Sequence, residues 1–319
     1  MTSFADWQRR ARIAGSWLAH QGRVAVEYGR LFARYSSRYV RLMRLNRPIG
    51  IWLLLWPTLW ALWIATDGHP TPQLFAVFVI GTILTRSAGC VVNDLADRKL
   101  DTRVWRTADR PIATGEVDPA EALLIFAGLM LIAFGLVMTL NRLTVYLAVA
   151  GAALTLVYPF MKRIFSAPQL VLGLAFAWGV PMAFAAATDG ISRTGWLVYL
   201  IAIIWVLIYD TEYAMADRED DLKIGIRSTA ILFGEMDRAV LGALQLTMLG
   251  GLLLLGQDLE FGVTYFVAVG VAAILGLRQQ YLIRGRQREL CVDAFLNNAW
   301  LGGSLFAGIA LDYIFRAPA

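Results

Sequence analysis

The sequence predicts an all-α, polytopic membrane protein in which nine transmembrane helices form a single domain. Of its 319 residues, 58% are hydrophobic and 17% are charged, whereas soluble domains average about 45–50% apolar and about 25% charged residues. Long apolar stretches recur along the chain, and about 18 apolar residues in succession can span a bilayer as a helix. No polar linker divides these stretches, so residues 46–319 are predicted to form one transmembrane domain.

The apolar stretches define nine predicted spans. Backbone amides in hydrocarbon must hydrogen-bond within their own segment, so each span is predicted to be a helix. The spans cover residues 49–66, 73–92, 120–140, 143–161, 169–187, 196–213, 238–256, 261–277 and 295–315.

Basic residues predict how these helices cross the membrane. Most of the 29 Lys and Arg residues lie in the N-terminal segment or in the loops after the second, fourth, sixth and eighth spans. The positive-inside rule makes this side cytoplasmic, so the N-terminus is predicted to be inside and the C-terminus outside. The membrane would be a bacterial inner membrane, or the mitochondrial inner membrane in a eukaryote.

Residues 1–45 precede the first span and are rich in arginine. Apolar side chains recur there at helical spacing at Leu31, Tyr35, Tyr39 and Leu42. This pattern predicts an amphipathic helix that lies on the anionic inner leaflet. An organellar targeting segment is the alternative, but the acidic residues Asp6 and Glu27 disfavour it.

Two acidic clusters form an internal repeat. The sequence Ala-Asp-Arg-x-x-Asp occurs at residues 96–101 and again at residues 216–221, at the ends of the second and sixth spans. Because these spans are an even number of crossings apart, both clusters are predicted to face the same side. The repeat indicates two parallel four-helix pseudo-repeats followed by one helix. Solvated charges that merely end a helix are the simpler alternative, but two copies in register disfavour it.

Within each cluster, the polar side chains fall on one stripe of a helix. The first stripe holds Asn93, Asp97 and Asp101, and the second holds Asp210, Asp217 and Asp221. Carboxylates at this spacing repel one another unless a cation lies between them. Hard oxygen ligands suit Mg²⁺, which proteins usually hold with one or two carboxylates plus substrate phosphates. The two stripes therefore predict two Mg²⁺ ions on either side of a diphosphate.

Several basic side chains near the clusters are candidate partners for anionic groups of a substrate. Arg86 precedes Asn93 by two helical turns and lies inside a span, where a charge is costly and indicates function by default. Its alternative is a structural ion pair with the acidic cluster. Arg110, Lys162 and Arg163 are predicted to hold a leaving diphosphate. For these three, anchoring under the positive-inside rule is the alternative.

The two motifs together resemble those of the UbiA superfamily of intramembrane aromatic prenyltransferases. The family motif Asn-Asp-x-x-Asp-x-x-x-Asp is matched by Asn93, Asp94, Asp97 and Asp101, and Asp-x-x-x-Asp is matched by Asp217 and Asp221. Residues 47–50, 53–62, 86–90 and 209–234 make the resemblance strongest to members that prenylate 4-hydroxybenzoate. Some members carry a further Asp where this chain has Tyr213, although Asp210 lies one turn earlier. The resemblance covers nearly all of residues 44–315.

The resemblance implies a fold, a cofactor and a reaction. Nine helices would surround a central cavity that opens laterally to lipid and is capped by cytoplasmic loops. Mg²⁺ and the diphosphate would bind between the two acidic motifs. The implied reaction is Mg-dependent transfer of a polyprenyl group from polyprenyl diphosphate to 4-hydroxybenzoate, ortho to its hydroxyl, with release of diphosphate in ubiquinone synthesis.

The chemistry of an allylic diphosphate predicts a role for each candidate residue. The main metal ligands would be Asp97, Asp101, Asp217 and Asp221, assisted by Asn93 and Asp94. The departing diphosphate would be held by Arg110, Lys162 and Arg163. The allylic cation would face Tyr158, Tyr209 and Tyr213, whose alternative role is packing. The carboxylate of the aromatic acid would pair with Arg86, Arg44 or Arg47.

Other functions fit the sequence less well. A prenyltransferase that uses a different acceptor would carry the same motifs. A secondary transporter also has helical repeats and intramembrane charge, but transport sites lie near the midplane, whereas these motifs are predicted at helix ends. Nucleic-acid binding is disfavoured because the basic residues flank the spans instead of forming a separate basic domain.

Overall fold

The computed structural model describes residues 36–102 and 107–316, with the side chains of residues 99, 100, 162 and 163 outside that description. Most of the predicted surface helix, including Leu31 and Tyr35, therefore lies outside the described residues. The described chain begins with a helical segment at residues 36–42, here α1. Leu42 in α1 is buried in a small cluster with Val91 and Val117, so this segment packs against the following domain.

The described residues form helices joined by turns and loops, with no strand among them. The remaining helices are α2 (Ile49–Ala65), α3 (Pro72–Asp101), α4 (Pro119–Val137), α5 (Arg142–Ile164), α6 (Pro168–Phe176), α7 (Gly179–Thr188), α8 (Arg193–Ile224), α9 (Thr229–Phe233), α10 (Asp237–Asp258), α11 (Val263–Leu282) and α12 (Arg288–Phe315).

Among the described residues, eight helical segments are long and apolar enough to cross a membrane, judged by length and composition. The helices α6 and α7 count together as one of them, as do α9 and α10. The ninth predicted span corresponds to α2, which is apolar but only 17 residues long. Every predicted span thus has a helical counterpart within the described ranges, and the prediction of an all-α polytopic membrane protein is confirmed.

The predicted span at residues 169–187 has a counterpart at Pro168–Thr188, but it consists of two helices and not of one. The chain breaks between α6 and α7 at Ala177 and Trp178. Trp178 turns its indole to the α5 backbone and donates from Nε1 to the carbonyl of Leu147 at 2.7 Å. Gly179 then lies so close to Thr58 of α2 that a β-carbon would overlap the threonine side chain. The break lets α6 pack on α8 while α7 packs on α2.

The helices that carry the acidic clusters are the longest in the described structure. The helix α3 has 30 residues and α8 has 32, so each is about 45 Å long at about 1.5 Å per residue. The hydrocarbon core is only about 30 Å thick, so both helices extend beyond it. Each acidic cluster lies within its helix, toward the C-terminal end. The prediction that both clusters are helical is therefore confirmed.

The helix α8 forms the centre of the bundle and packs against α2, α6, α7, α10 and α12. Its side chains Trp205 and Tyr209 are fully buried. On α12, Gly302 allows the close approach of α2 and α8, because a β-carbon at this position would overlap Trp56 and Trp205. Small residues commonly permit such contacts between membrane helices.

Gly302→Ala should destabilise the protein by about 1–3 kcal/mol, because overpacking a close contact forces its neighbours to move. The matched control is Gly270→Ala on α11, where an added β-carbon meets no atom within 4 Å. Thermal unfolding in detergent should show a lower midpoint for Gly302→Ala and no loss for Gly270→Ala. Equal midpoints for the two variants would contradict the packing described for α12.

Candidate active site

A cavity of about 620 Å³ lies between α2, α3, α4, α5, α6, α7 and α8. Its polar end lies against the acidic clusters and is lined by Arg44, Arg47, Asn93, Asp94, Arg110, Asp210 and Tyr213. Its other end is lined by apolar side chains such as Val77, Leu140 and Met182. Phe134 and Val149 also line the cavity, yet they are 45% and 57% exposed. The cavity therefore opens sideways between α4 and α5, as the family resemblance implied.

Two arginines hold the first acidic cluster in place. Arg44 donates to both carboxylate oxygens of Asp94 at 2.9 Å. Arg110 reaches Asp94 at 3.0 Å and also Asp101 at 2.9 Å. Asp94 is only 1% exposed, and a buried carboxylate requires such partners. Arg44, one of the three arginines predicted to pair with an acceptor carboxylate, is therefore already paired with Asp94.

The electrostatics of Asp101 fit an additional cation. Burial raises the pKa of the Asp101 carboxyl above its ordinary value, although the neighbouring Arg110 guanidinium lowers it. Desolvation therefore outweighs the attraction of this arginine. A divalent cation nearby would favour the ionised carboxylate. The first cluster is thus a site of oxygen donors at which positive charge would be stabilised.

The two acidic clusters approach each other around Tyr158 of α5. Both Asp97, from the first cluster, and Asp210, from the second, interact electrostatically with the Tyr158 side chain. Asp97 is only 2% exposed. Within the described ranges, no three His, Cys, Asp or Glu side chains are grouped closely enough to hold a metal ion by themselves. Mg²⁺ is usually bound by one or two carboxylates together with substrate phosphates.

Arg86 projects into the cavity from α3. Gly50 of α2 makes room for it, because a β-carbon there would overlap the guanidinium. The ring of Phe176 lies 5.7 Å from its guanidinium carbon. No salt bridge joins Arg86 to a carboxylate in the described part of the chain, and its buried Nε has no hydrogen-bond partner there. The ion-pair alternative therefore lacks support, and Arg86 is suited to bind an anionic group.

Aromatic side chains form one wall of the cavity near its polar end. Tyr209 and Tyr213 of α8 pack against Phe295 of α12, with ring centroids 6.0 and 4.7 Å away. The Tyr209 hydroxyl is buried, with no hydrogen-bond partner among the described residues. Tyr158 lines the same cavity from α5. The predicted tyrosines therefore come together around one space.

The remaining predicted site residues lie at the edge of the cavity or away from it, or have side chains that the structure does not describe. Asp217 and Asp221 are half-buried on the extension of α8 and do not line the cavity. Arg47 is exposed at the mouth of the cavity. Lys162 and Arg163 lie at the end of α5, and their side chains are outside the description. Their predicted roles remain predictions.

An ion cluster that the sequence analysis did not identify supports the second acidic motif. Arg218, directly after Asp217, forms a salt bridge of 2.6 Å with the buried Asp237 and donates to the carbonyl of Gly234. Arg286 binds the same carboxylate at 2.9 Å. These bonds tie the end of α8 to the start of α10. No spacing pattern joins residues 218, 237 and 286, so only the fold brings them together.

Fold and site together define an integral membrane protein with a substrate cavity bounded by two acidic helix extensions. Residues 54–302 match the model of the UbiA prenyltransferase family. The chain belongs to this family.

Relatives and solved structures agree with this assignment. The 4-hydroxybenzoate octaprenyltransferase of Hahella chejuensis is 51% identical over 93% of this chain and 99% of its own length. The protein of the same name from Methylococcus capsulatus is 54% identical over 88% and 96%. A UbiA homologue from Aeropyrum pernix superimposes with a TM-score of 0.72 at 25% identity, covering 82% of this chain and 97% of its own. A homologue from Archaeoglobus fulgidus, bound to GPP and Mg²⁺, gives 0.69 at 16% identity, covering 88% and 100%.

Arg110→Ala should lower stability by about 2 kcal/mol, a value between those of exposed and fully buried ion pairs. The physical reason is that both Asp94 and Asp101 lose a partner when this guanidinium is removed. Arg98→Ala, which removes an exposed arginine from the same helix as the two aspartates, is the control. Thermal unfolding in detergent at low salt measures both variants. An unchanged midpoint for Arg110→Ala would show that this arginine does not stabilise the cluster.

Proposed function

We propose that this protein transfers a polyprenyl group from polyprenyl diphosphate to 4-hydroxybenzoate, ortho to the hydroxyl, and releases diphosphate in ubiquinone synthesis. The observation that carries the proposal is the approach of two acidic helix extensions around Tyr158, at the polar end of an apolar cavity. An amphiphile with an anionic head and a long hydrocarbon tail matches this polarity. Relatives that share about half of their residues with this chain, over nearly their full length, are named octaprenyltransferases of this acid, which favours an eight-unit tail.

Mg²⁺ is the proposed cofactor. Bound with the substrate, it would neutralise the developing charge on the diphosphate leaving group. The residues that would hold it are Asp97, Asp101, Asp217 and Asp221, with Asn93 and Asp94 assisting. The raised pKa of Asp101 supports a cation at the first acidic cluster. A family member of the same fold that binds GPP and Mg²⁺ is consistent with this choice.

The side chains around the polar end would bind and orient the diphosphate. Arg110 already bridges Asp94 and Asp101, so its guanidinium is held at the rim of the cavity. Lys162 and Arg163 at the end of α5 would supply further positive charge. Charge-assisted hydrogen bonds of this kind are strongest where charge develops during the reaction.

The aromatic wall would face the reacting carbon. Tyr158, Tyr209 and Tyr213 line the cavity together with many apolar side chains. An aromatic face stabilises a nearby cation by about 0.5–2 kcal/mol. The apolar walls would also exclude water, which would otherwise capture the carbocation.

The acceptor would bind within reach of Arg86. This guanidinium is inside the cavity, near Tyr209 and Tyr158, and has no carboxylate partner in the described chain. The carboxylate of 4-hydroxybenzoate would satisfy it. Arg47 at the mouth is the alternative. With its carboxylate at Arg86, inside the bilayer, the ring of 4-hydroxybenzoate would lie between Arg86 and the acidic clusters.

The orientation of the protein is part of the proposal. Under the positive-inside rule, the basic loops would lie in the cytoplasm of a bacterium, or in the matrix of a mitochondrion, and the two acidic clusters would face the same side. The phosphorylated substrate and Mg²⁺ would then enter from the cell interior, and the tail from the bilayer.

Membranes supplied with polyprenyl diphosphate, Mg²⁺ and radiolabelled 4-hydroxybenzoate should form a prenylated product. Asp97→Ala and Asp217→Ala should each reduce its formation by at least about a hundredfold, because each removes a ligand for the charge-neutralising metal. Chelation of divalent cations should abolish it. Glu219→Ala, which removes an exposed carboxylate two residues after Asp217, is the matched control and should retain activity.

Two results would count against this proposal. Normal product formation by both Asp97→Ala and Asp217→Ala would refute the metal assignment. Absence of product with 4-hydroxybenzoate, but not with another phenolic acceptor, would leave a prenyltransferase with a different acceptor.

Arg86→Leu should raise the KM for 4-hydroxybenzoate by roughly ten- to a hundredfold, since a hydrogen bond to a charged group contributes about 1.5–3 kcal/mol. The KM for polyprenyl diphosphate should change little, because the diphosphate would bind between the two acidic clusters. Steady-state kinetics with each substrate varied in turn measures both constants. An increase confined to the diphosphate KM would place Arg86 at the leaving group instead.

A further inference from the structure

A buried chain of polar contacts connects α12 to the aromatic wall of the cavity. Asn298 of α12 is fully buried, and its side chain bonds to two residues of α8. Its Nδ2 donates to Oε2 of Glu212 at 2.9 Å, and its Oδ1 accepts from Nε1 of Trp205 at 2.8 Å. Glu212 and Trp205 are themselves 0% exposed.

The chemistry of these groups determines their orientation. An indole Nε1 can only donate, so the oxygen of the Asn298 amide must face Trp205. The amide nitrogen then faces Glu212, whose carboxyl oxygen accepts. The nitrogen also donates to the carbonyl of Ala294 at 3.1 Å. Because all of its polar atoms are engaged, the Asn298 amide holds the Trp205 indole in one rotamer.

Trp205 in turn sets the environment of Tyr209. The edge of one ring meets the face of the other, with centroids 5.3 Å apart and an interplanar angle of 84°. Phe295 packs on another side of Tyr209 at 6.0 Å. The Tyr209 hydroxyl has no hydrogen-bond partner among the described residues. Aromatic packing therefore positions the Tyr209 ring. Of its two packing partners, Trp205 is itself held by a hydrogen bond to Asn298.

A second buried amide network on α12 offers a comparison. Asn297, the neighbour of Asn298, accepts a hydrogen bond from Gln279 of α11 at 3.3 Å. Gln279 continues to Gln245 of α10 at 3.0 Å. None of these three residues lines the cavity. This network joins helices away from the site, whereas the one through Asn298 ends at a residue of the aromatic wall.

We propose that Asn298 and Trp205, oriented by Glu212, are positioning residues that hold the Tyr209 ring against the reacting carbon of the prenyl substrate. This inference rests on the proposed prenyl transfer. The Tyr209 ring would stabilise the cation only as it forms. Loss of its alignment should therefore lower kcat and leave substrate binding unchanged.

Asn298→Leu tests the proposal, with Asn297→Leu as the matched control. Each variant replaces a buried amide of α12 by an apolar side chain of similar size. For Asn298→Leu, kcat per folded enzyme should fall roughly three- to thirtyfold, the range expected for a lost cation–π contact. Its KM for each substrate should change by less than about twofold. Asn297→Leu should retain kcat, and size-exclusion chromatography gives the folded fraction of both.

A reciprocal exchange separates positioning from general stability. Asn298→Asp removes the amide that donates to Glu212 and to the carbonyl of Ala294, and the loss of these hydrogen bonds should lower kcat in the same way. Adding Glu212→Gln supplies an amide that donates to the carboxylate at position 298, while Trp205 can still donate to its other oxygen. The double variant should therefore recover much of the wild-type kcat, as coupled residues do.

The outcomes distinguish this inference from the proposed function. If the wild-type protein forms no product with 4-hydroxybenzoate, the proposed acceptor is wrong. If the wild type is active, an unchanged kcat in Asn298→Leu overturns the positioning role. An equal fall in Asn297→Leu, or no recovery in the double variant, would also overturn it.

Discussion

The structure depends on neutralising carboxylates that are buried at the edge of a low-dielectric bundle. Asp94 is almost inaccessible, and the two arginines that reach it come from different parts of the chain. Arg44 precedes the first span, and Arg110 lies in the loop after the second. An unpaired carboxylate in this position would be costly, so these contacts hold the loop and the N-terminal segment against α3. The same contacts define the rim of the cavity.

The cavity combines two environments that suit different parts of one amphiphilic substrate. Near Tyr158, carboxylates and arginines are grouped closely, and charge-assisted hydrogen bonds are strong because water is largely excluded. Farther along α3, α4 and α5 the lining is apolar and opens to the side. A headgroup and a hydrocarbon tail can therefore each bind where their solvation cost is lowest. Arg86 projects into the cavity beside Tyr158 and Tyr209, and no salt bridge joins it to a carboxylate among the described residues.

Sequence reasoning succeeded where the signal was local. The nine apolar segments, the two helical stripes and the grouping of Tyr158, Tyr209 and Tyr213 all follow from spacing along one helix or from depth in the membrane. It failed at the break between α6 and α7, where hydropathy is continuous and tertiary contacts of Trp178 and Gly179 divide the helix. It also missed Asp237, which binds Arg218 and Arg286. Ion pairs between distant residues leave no periodic signal.

The amino-acid sequence by itself determined the class of this protein, because membrane-length helices and repeated Asp motifs are properties of composition and short-range order. It also identified the family, since the motifs match residue by residue. Only the tertiary structure decided which arginine pairs with which carboxylate. Arg44 is paired with Asp94, whereas Arg86 is left available in the cavity. The physical reason is that a side chain's partner depends on how helices far apart in the chain pack together, and spacing along the chain does not specify that packing.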